Sequence, residues 1–532
     1  MSHDEKLLRS STVMAVGTVA SRITGLIRGL LTVALLGTAL LGDVFNVANT
    51  MPNILYNLIV GGALTAVFVP QLVRAMRESD GGSAFVSKLI TATTVILGGL
   101  TVISVLAAPL LVRAFASSYV GRPEFQLTTL IMRYCLPQIF FIGLYALLSQ
   151  IANAKDRFGP MMWAPVANNI VGIAIVSYFL IRSHSWTTTT ISHGEATWLG
   201  IGTTLGYVVQ FAVLVPVVRS TKINIRANFD WRDPELRQSW HLASWTILYA
   251  AISQLSYLVT VNLSSSAAVK AASSGIDYGV GFTPYTNAYY IMLLPHSVIT
   301  ISLVTALLPH LSELAIDKNL QSVHDQLVRA IRLVGIFTVP SSFALVLFGP
   351  LITRSLFFGI SDQDAHYMGL VLAAFALGLM PMSINLILLR GLNAFENVKR
   401  QVLSNLIMNL FASIVSIALA LSLHAKWVTV GLAGALSASY FVGAYTTARL
   451  LHKFGIAIHL GEIVGLYLRL AGIFLVIGIP LRLALGYMPG GNTLHLLVVL
   501  AIGGLGYIGA AKVFNIEEVG SAFNTLLKRK SS

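Results

Sequence analysis

Apolar runs of about 20 residues, the length a helix needs to cross a hydrocarbon core, recur along this chain from near position 12 to near position 514. The longest hydrophilic stretch between them runs only from about Arg219 to Trp240. Charged residues make up 11% of the 532 positions, against about 25% in soluble domains. A chain with so little solvating surface cannot bury these segments in one water-soluble core. It is expected to be an all-α integral membrane protein, with about fourteen transmembrane helices near 12–40, 44–73, 87–112, 127–151, 161–182, 197–218, 240–264, 286–310, 329–352, 367–391, 402–423, 427–449, 464–485 and 493–514.

The first ten residues are polar, and the apolar run after them lacks a small-residue cleavage site, so it reads as a first span and not as a removable signal. The formal charge of +14 raises the question of nucleic acid, and its distribution answers it. With the N-terminus cytoplasmic, the inner loops and tails collect most of the lysines and arginines. The outer side is left with Arg113, Arg122, Arg182, Lys270, Arg354, Lys426 and Arg482. This is the positive-inside bias of a membrane protein with both termini in the cytoplasm. The basic charge is a topology signal and an attraction to anionic membrane lipids; no nucleic-acid partner is expected.

One offset recurs through the chain. VLAAPLLVRAF from Val105 matches VLFGPLITRSL from Val346, pairing Pro109 with Pro350 and Arg113 with Arg354. Asn153 pairs with Asn393, Asn169 with Asn409, and FVPQL around Pro70 with LLPHL around Pro309, all at separations of 239 to 241 residues. Two homologous six-helix halves are therefore expected, 1–225 and 226–455. Residues 456–532 then hold two extra helices and a short basic cytoplasmic tail. An even number of spans per half gives both the same orientation, a parallel repeat as in some alternating-access transporters.

Charged side chains inside spans are expensive and usually face a cavity or a partner. Arg133 and Arg469 lie close enough to span ends to reach the headgroups. Arg22 and Arg28 lie deep in the first run, six residues apart and so about 120° off a common face, with Gly25 between them as a possible bend. Two guanidinium groups converging on a cavity suit a diphosphate through bidentate hydrogen bonds. The competing arrangement pairs each with a carboxylate, Asp43 being the nearest candidate. Arg390, beside Gly391 and Asn393, either lines a cavity or anchors its helix. Asp43, Asn46, Asn49, Asn53, Tyr56 and Asn57 follow helical spacing, with Pro52 among them and Gly61 and Gly62 beyond. Such a stripe suits a cavity-lining helix that bends, or amide side chains that hold helices together. Ser253, Gln254, Ser256, Tyr257, Thr260 and Asn262 form a similar set in the seventh span.

The chain carries no GxxxxGK[ST] loop for a nucleotide and no HExxH zinc motif. Cys135 reads as a small buried apolar residue. Neither cofactor nor metal is expected, apart from a weak sodium possibility at Asn393 and Glu396. A membrane glycosyltransferase would need catalytic carboxylates on the outer side, for which Asp277 and the pair Asp362 and Asp364 are the plausible candidates; an enzyme is not expected.

SRITGLIRG at 21–29, GDVFNVANTMPNILYNLIVGGALTAVFVPQL at 42–72, ALLPHLSE at 306–313 and RGLNAFENVKR at 390–400 resemble the signature of the MurJ/MviN lipid II flippases. The resemblance covers nearly the whole chain. It implies a fourteen-helix exporter fold that moves undecaprenyl-pyrophosphate-linked disaccharide pentapeptide, lipid II, to the outer leaflet of the bacterial inner membrane by alternating access. Cell-wall synthesis or division proteins are possible partners. It places Arg22 and Arg28 on the arginines implicated in holding the pyrophosphate, Asp43 on the family's T-D-A-F aspartate, and the last two helices along the prenyl tail. Gly29, Gly61 and Tyr56 depart from the family pattern, as does Tyr290, which stands where some members have a cavity arginine. The substrate-binding set expected is Arg22, Arg28, Asp43, Asn49, Asn53, Tyr56, Tyr290 and Arg390. Another glycan-lipid flippase or a drug exporter of the same superfamily is the nearest rival.

Overall fold

The structure is a computed structural model. It describes residues 3–58, 82–155, 157–182, 186–221, 223, 225–229, 234–276, 278–395, 397–458 and 460–514. Pro70, Gly61, Gly62, Asp277 and Glu396, each named above, lie outside these residues.

Every regular element among the described residues is helical. Among the described residues eleven helices are long and apolar enough to cross a membrane, or twelve if Asp362–Ala376 and Leu379–Ala394, bent by 40°, make one span. Of the fourteen spans expected, 44–73 is described only as far as residue 58, and 286–310 is interrupted by a π turn at His296–Thr300. The exposed surface carries large apolar side chains such as Ile103, Leu106, Ile181, Leu421 and Val476, while Thr128, Ser264, Thr338, Ser383 and Thr429 are buried. Apolar groups outside and hydrogen-bonding groups inside is the arrangement a lipid solvent demands.

The chain divides into two compact units, Met1–Val269 and Lys270–Ser532. The first contains α1 (His3–Leu36), α2 (Leu40–Tyr56), α3 (Ser83–Leu106), α4 (Ala108–Phe115), α5 (Pro123–Cys135), α6 (Gln138–Ala154), α7 (Phe158–Arg182), α8 (His193–Arg219) and most of α9 (Pro234–Ser273). Within it α1 packs along α7, α7 along α8, and α2 against α5. The start of α8 is set by a capping box, in which the Ser192 hydroxyl accepts from the Glu195 N–H and the Glu195 carboxylate accepts from the Ser192 N–H.

The second unit contains α10 (Phe282–Pro295), the π turn, α11 (Ile301–Ile316), α12 (Leu320–Leu356), α13 (Asp362–Ala376), α14 (Leu379–Ala394), α15 (Val398–Ser422) and α16 (Ala425–His452). It ends with α17 (Leu460–Ala484), α18 (Asn492–Val498), a second π turn at Val499–Gly503 and α19 (Gly504–Val513). Helices α12 and α13 pack as close as backbone allows. A Cβ on Gly349 would lie 2.6 Å from the carbonyl oxygen of Gly369, and one on Gly369 would run into the backbone of Pro350. Small residues permit this approach, which dispersion then holds in the absence of a hydrophobic drive between helices. The two C-terminal spans are tied to α12 by tyrosines: Tyr467 donates to the Ile331 carbonyl at 3.0 Å and Tyr507 to the Ile336 carbonyl at 2.8 Å. Val339, Phe348, Leu470, Phe474 and Tyr507 pack together behind them.

Candidate functional site

Helix α1 runs unbroken through Gly25, so its two arginines stay on different sides. Arg22 is exposed and has no ion pair or hydrogen bond among the described residues. Arg28 is half-buried and turns toward α7. Its Nη1 donates to Oδ1 of Asn168 at 3.2 Å, and Nδ2 of Asn168 donates to Oε1 of Gln210 on α8 at 2.7 Å. Both amides are buried.

Two glycines make room for this relay. A Cβ on Gly172 would lie 2.5 Å from Nε of Arg28, and one on Gly206 would overlap Oδ1 of Asn168. One residue along α7, Asn169 donates to the Ser21 carbonyl and to Oγ1 of Thr24, each at 3.1 Å, and so clamps α7 to α1 below the arginine. Beyond Arg28 lies a cavity of about 10 Å³ bordered by Thr32, Phe45, Gly172 and Thr203, room for roughly one water molecule.

Neither arginine is paired with Asp43, which is fully buried at the start of α2 and has its own interactions elsewhere. Among the described residues no carboxylate pairs with either arginine, and Arg28 is held by the neutral amide of Asn168. A guanidinium among apolar helices with no carboxylate beside it keeps its whole charge for an incoming anion. Its planar fork has further N–H groups free to form a bidentate contact.

The polar stripe of α2 has mixed roles. Asn49 is half-buried, and its Oδ1 accepts from Nε2 of Gln138 at 3.3 Å; the same Nε2 lies 3.2 Å from Oγ1 of Thr203. This is amide glue between helices. Asn53 and Tyr56 are half-buried, and the carbonyl of Asn53 accepts from the backbone N–H of Asn57. The helix continues through Pro52. At the end of the unit that holds Asp43, Tyr119 is fully buried, and burial together with the Asp43 and Glu124 carboxylates raises its phenol well above the usual tyrosine range. Of the seventh-span polar set, Asn262 donates to the Ala114 carbonyl and to Oγ of Ser117, at 3.1 and 3.0 Å.

In the second unit Arg390 is half-buried, with a buried Nε that meets no acceptor among the described residues. Tyr290 is exposed, its ring 6.5 Å from that of Tyr289. Arg133 and Arg469 are exposed. The residues that sequence reasoning missed are Asn168 and Gln210. Their signal was two amides inside apolar runs, which nothing in the linear order connects to Arg28.

A sequence profile of the lipid II flippase MurJ matches residues 32–501. The probable lipid II flippase MurJ of Rickettsia prowazekii (strain Madrid E) is 24% identical over 380 residues, covering 70% of each chain. The lipid II flippase MurJ of Burkholderia cenocepacia is 27% identical over 406 residues, covering 74% of this chain and 75% of that one. Among solved structures, lipid II flippase MurJ in an inward closed conformation aligns with a TM-score of 0.75 at 20% identity, over 94% of this chain and 98% of that one. An inward-facing multidrug resistance MATE family transporter aligns at 0.65 and 14% identity, over 82% of this chain and 95% of the other. These two likenesses show the fold. With a profile match that spans most of the sequence and helices that cross a membrane many times, the chain is a multi-pass membrane protein that belongs to the MurJ lipid II flippase family.

Proposed function

We propose that the chain moves lipid II, the undecaprenyl-pyrophosphate-linked peptidoglycan precursor, from the inner to the outer leaflet of the bacterial cytoplasmic membrane, with both termini in the cytoplasm. The observation that carries this reading is Arg28, a half-buried cation within apolar helices, held by Asn168 and paired with no carboxylate among the described residues. A pyrophosphate presents the paired oxygens that such a fork binds best. Arg22, exposed on another side of the same helix, is proposed as a second cation for the headgroup.

Asp43, Asn49, Asn53, Tyr56, Tyr290 and Arg390 complete the proposed substrate-binding set, with Asn49 acting through Gln138. The headgroup crosses in a wet path, because polar groups left in hydrocarbon cost several kcal/mol each. The prenyl chain stays in lipid along α17 to α19, whose outward side chains Val464, Leu468, Val476, Leu500 and Leu505 are apolar. Access alternates between the two sides of the membrane, as in transporters built from repeats, and no bond is made or broken. Membrane lipids surround the protein, and cell-wall synthesis or division proteins are proposed partners.

The test is depletion in the native bacterium, followed by measurement of lipid II exposed at the outer leaflet. Exposure should collapse and return with the wild-type gene. Undiminished exposure, with no second flippase present, would overturn the reading.

A further inference from the structure

The second unit has a cavity of about 380 Å³ at the end that carries Arg354 and Lys426, two of the residues expected outside. Its volume lies in the range of small-ligand sites, and its walls are unlike the lipid-facing surface. Tyr278, Tyr367 and Trp427 supply aromatic faces; Arg354, Lys426 and His366 supply nitrogen donors; among the described residues Asp362 is the one carboxylate lining it.

The cavity is built by the tight crossing of α12 and α13. The contact of Gly349 with Gly369 brings the end of α12 beside the start of α13, so that Nη2 of Arg354 meets a carboxylate oxygen of Asp362 at 2.9 Å. Asp364 fixes the same corner, capping α13 through Ser361 and accepting from the N–H of Gly279 at 2.6 Å. That last bond holds Tyr278 in place, with its ring 5.2 Å from that of Tyr367. Opposite, the amine of Lys426 lies 5.8 Å from the Trp427 ring at the exposed start of α16.

Among the described residues, one acid lines the cavity against two permanent cations. Nη2 of Arg354 meets Asp362, and its buried Nε meets no acceptor among the described residues. The repeat gives a comparison inside the same chain. Arg113, which matches Arg354 in sequence, lies 5.9 Å over the ring of Phe125 in the first unit, a cation–π contact in place of an ion pair.

We propose that this cavity is a binding site for an anionic saccharide: sugar faces stack on Trp427 and Tyr278, and a carboxylate of the ligand is held by Lys426 and the free edge of Arg354. Stacking supplies apolar contact to the C–H face of a sugar ring, and charge-assisted hydrogen bonds fix the acid group. The inference rests on the flippase reading, since it makes the cavity a station for the sugar–peptide part of the headgroup after translocation. The pyrophosphate belongs to the arginines of α1.

The test uses full-length protein in phosphatidylcholine nanodiscs, titrated calorimetrically with the disaccharide pentapeptide cut free of pyrophosphate and prenyl chain. Saturable binding with a Kd on the order of 1 mM is expected. Lys426→Gln and Trp427→Ala should each weaken it at least about fivefold, while Arg182→Gln, an outer arginine on the first unit, leaves it unchanged. A neutral N-acetylglucosamine disaccharide and glycerol phosphate should each bind at least about fivefold more weakly. No saturable binding by the wild type, unaltered binding by both cavity variants, or equal binding of either comparison ligand would overturn the proposal. Because lipid II exposure is measured separately, a protein that transports and does not bind the fragment defeats this inference and leaves the proposed function standing.

Discussion

Arg28 and Asn168 meet across α1 and α7 with 3.2 Å between guanidinium nitrogen and amide oxygen, and that contact aims a membrane-embedded charge without cancelling it. An amide oxygen orients the fork and leaves its net charge whole. A carboxylate in the same place would do the first and undo the second.

Arg28→Ala is expected to abolish lipid II exposure at normal expression. Asn168→Asp separates aim from charge: it preserves the acceptor oxygen and neutralises the arginine. It should lower transport as severely as the alanine change, although it also removes the Nδ2 donor to Gln210, so the melting temperature in detergent is measured beside transport. A hydrogen bond to a charged group is worth about 1.5–3 kcal/mol, so Asn168→Leu should weaken headgroup capture roughly ten- to hundredfold. Full transport by Asn168→Asp would remove the free charge from the mechanism.

Gly172→Ala and Gly206→Ala test the same relay from behind, since each methyl group occupies space now taken by Arg28 or Asn168. Overpacking of this kind costs about 1–3 kcal/mol, and transport should fall in step with the melting temperature or faster. Gly472→Ala is the control. It sits in mid-helix with open space around its Cβ position, where alanine should stabilise by up to about 1 kcal/mol.

Gly369→Ala should be more damaging than either, because its methyl group meets the backbone of Pro350 and no side chain can rotate away. The expected outcome is loss of folded protein by size-exclusion fluorescence. A normal elution profile and melting temperature would show that α12 and α13 can separate freely.

Tyr507→Phe removes the hydroxyl that reaches the Ile336 carbonyl, and Tyr467→Phe the one that reaches Ile331. Each should lower stability by about 1 kcal/mol, read as a lower melting temperature. If the C-terminal spans guide the prenyl chain, the double variant should also reduce transport of the full lipid.

Much of this fold was legible from residues alone because lipid imposes one strict rule on a spanning segment. Runs such as 161–182 and 402–423 have no other stable structure in hydrocarbon than a helix, and α7 and α15 cover them. Arg28 was legible as out of place for the same reason. Its partners were not: Asn168 and Gln210 are distant in sequence, and spacing along one helix says nothing of which neighbour it faces. Asp43 illustrates the converse, since proximity in sequence suggested a pairing with the arginines that packing does not make. The break of the eighth span at His296–Thr300 was also hidden, because a π turn follows from how neighbouring helices fit and leaves no mark in hydropathy.

That π turn has a consequence for register. It carries about one residue more per hydrogen-bonded loop than the α turns around it, which advances the stripe of side chains by about 100° in angular phase. The face that α10 presents at the buried Tyr285 and Met292 is therefore not continued on α11 by residues at multiples of three and four. His296, buried within the turn, bonds to Ser383 at 2.9 Å, and Thr300 at the far end of the turn bonds to the same hydroxyl at 3.1 Å. One serine thus pins both ends of the dislocation, and removing a single residue there would rotate all of α11 against its neighbours while leaving its composition untouched.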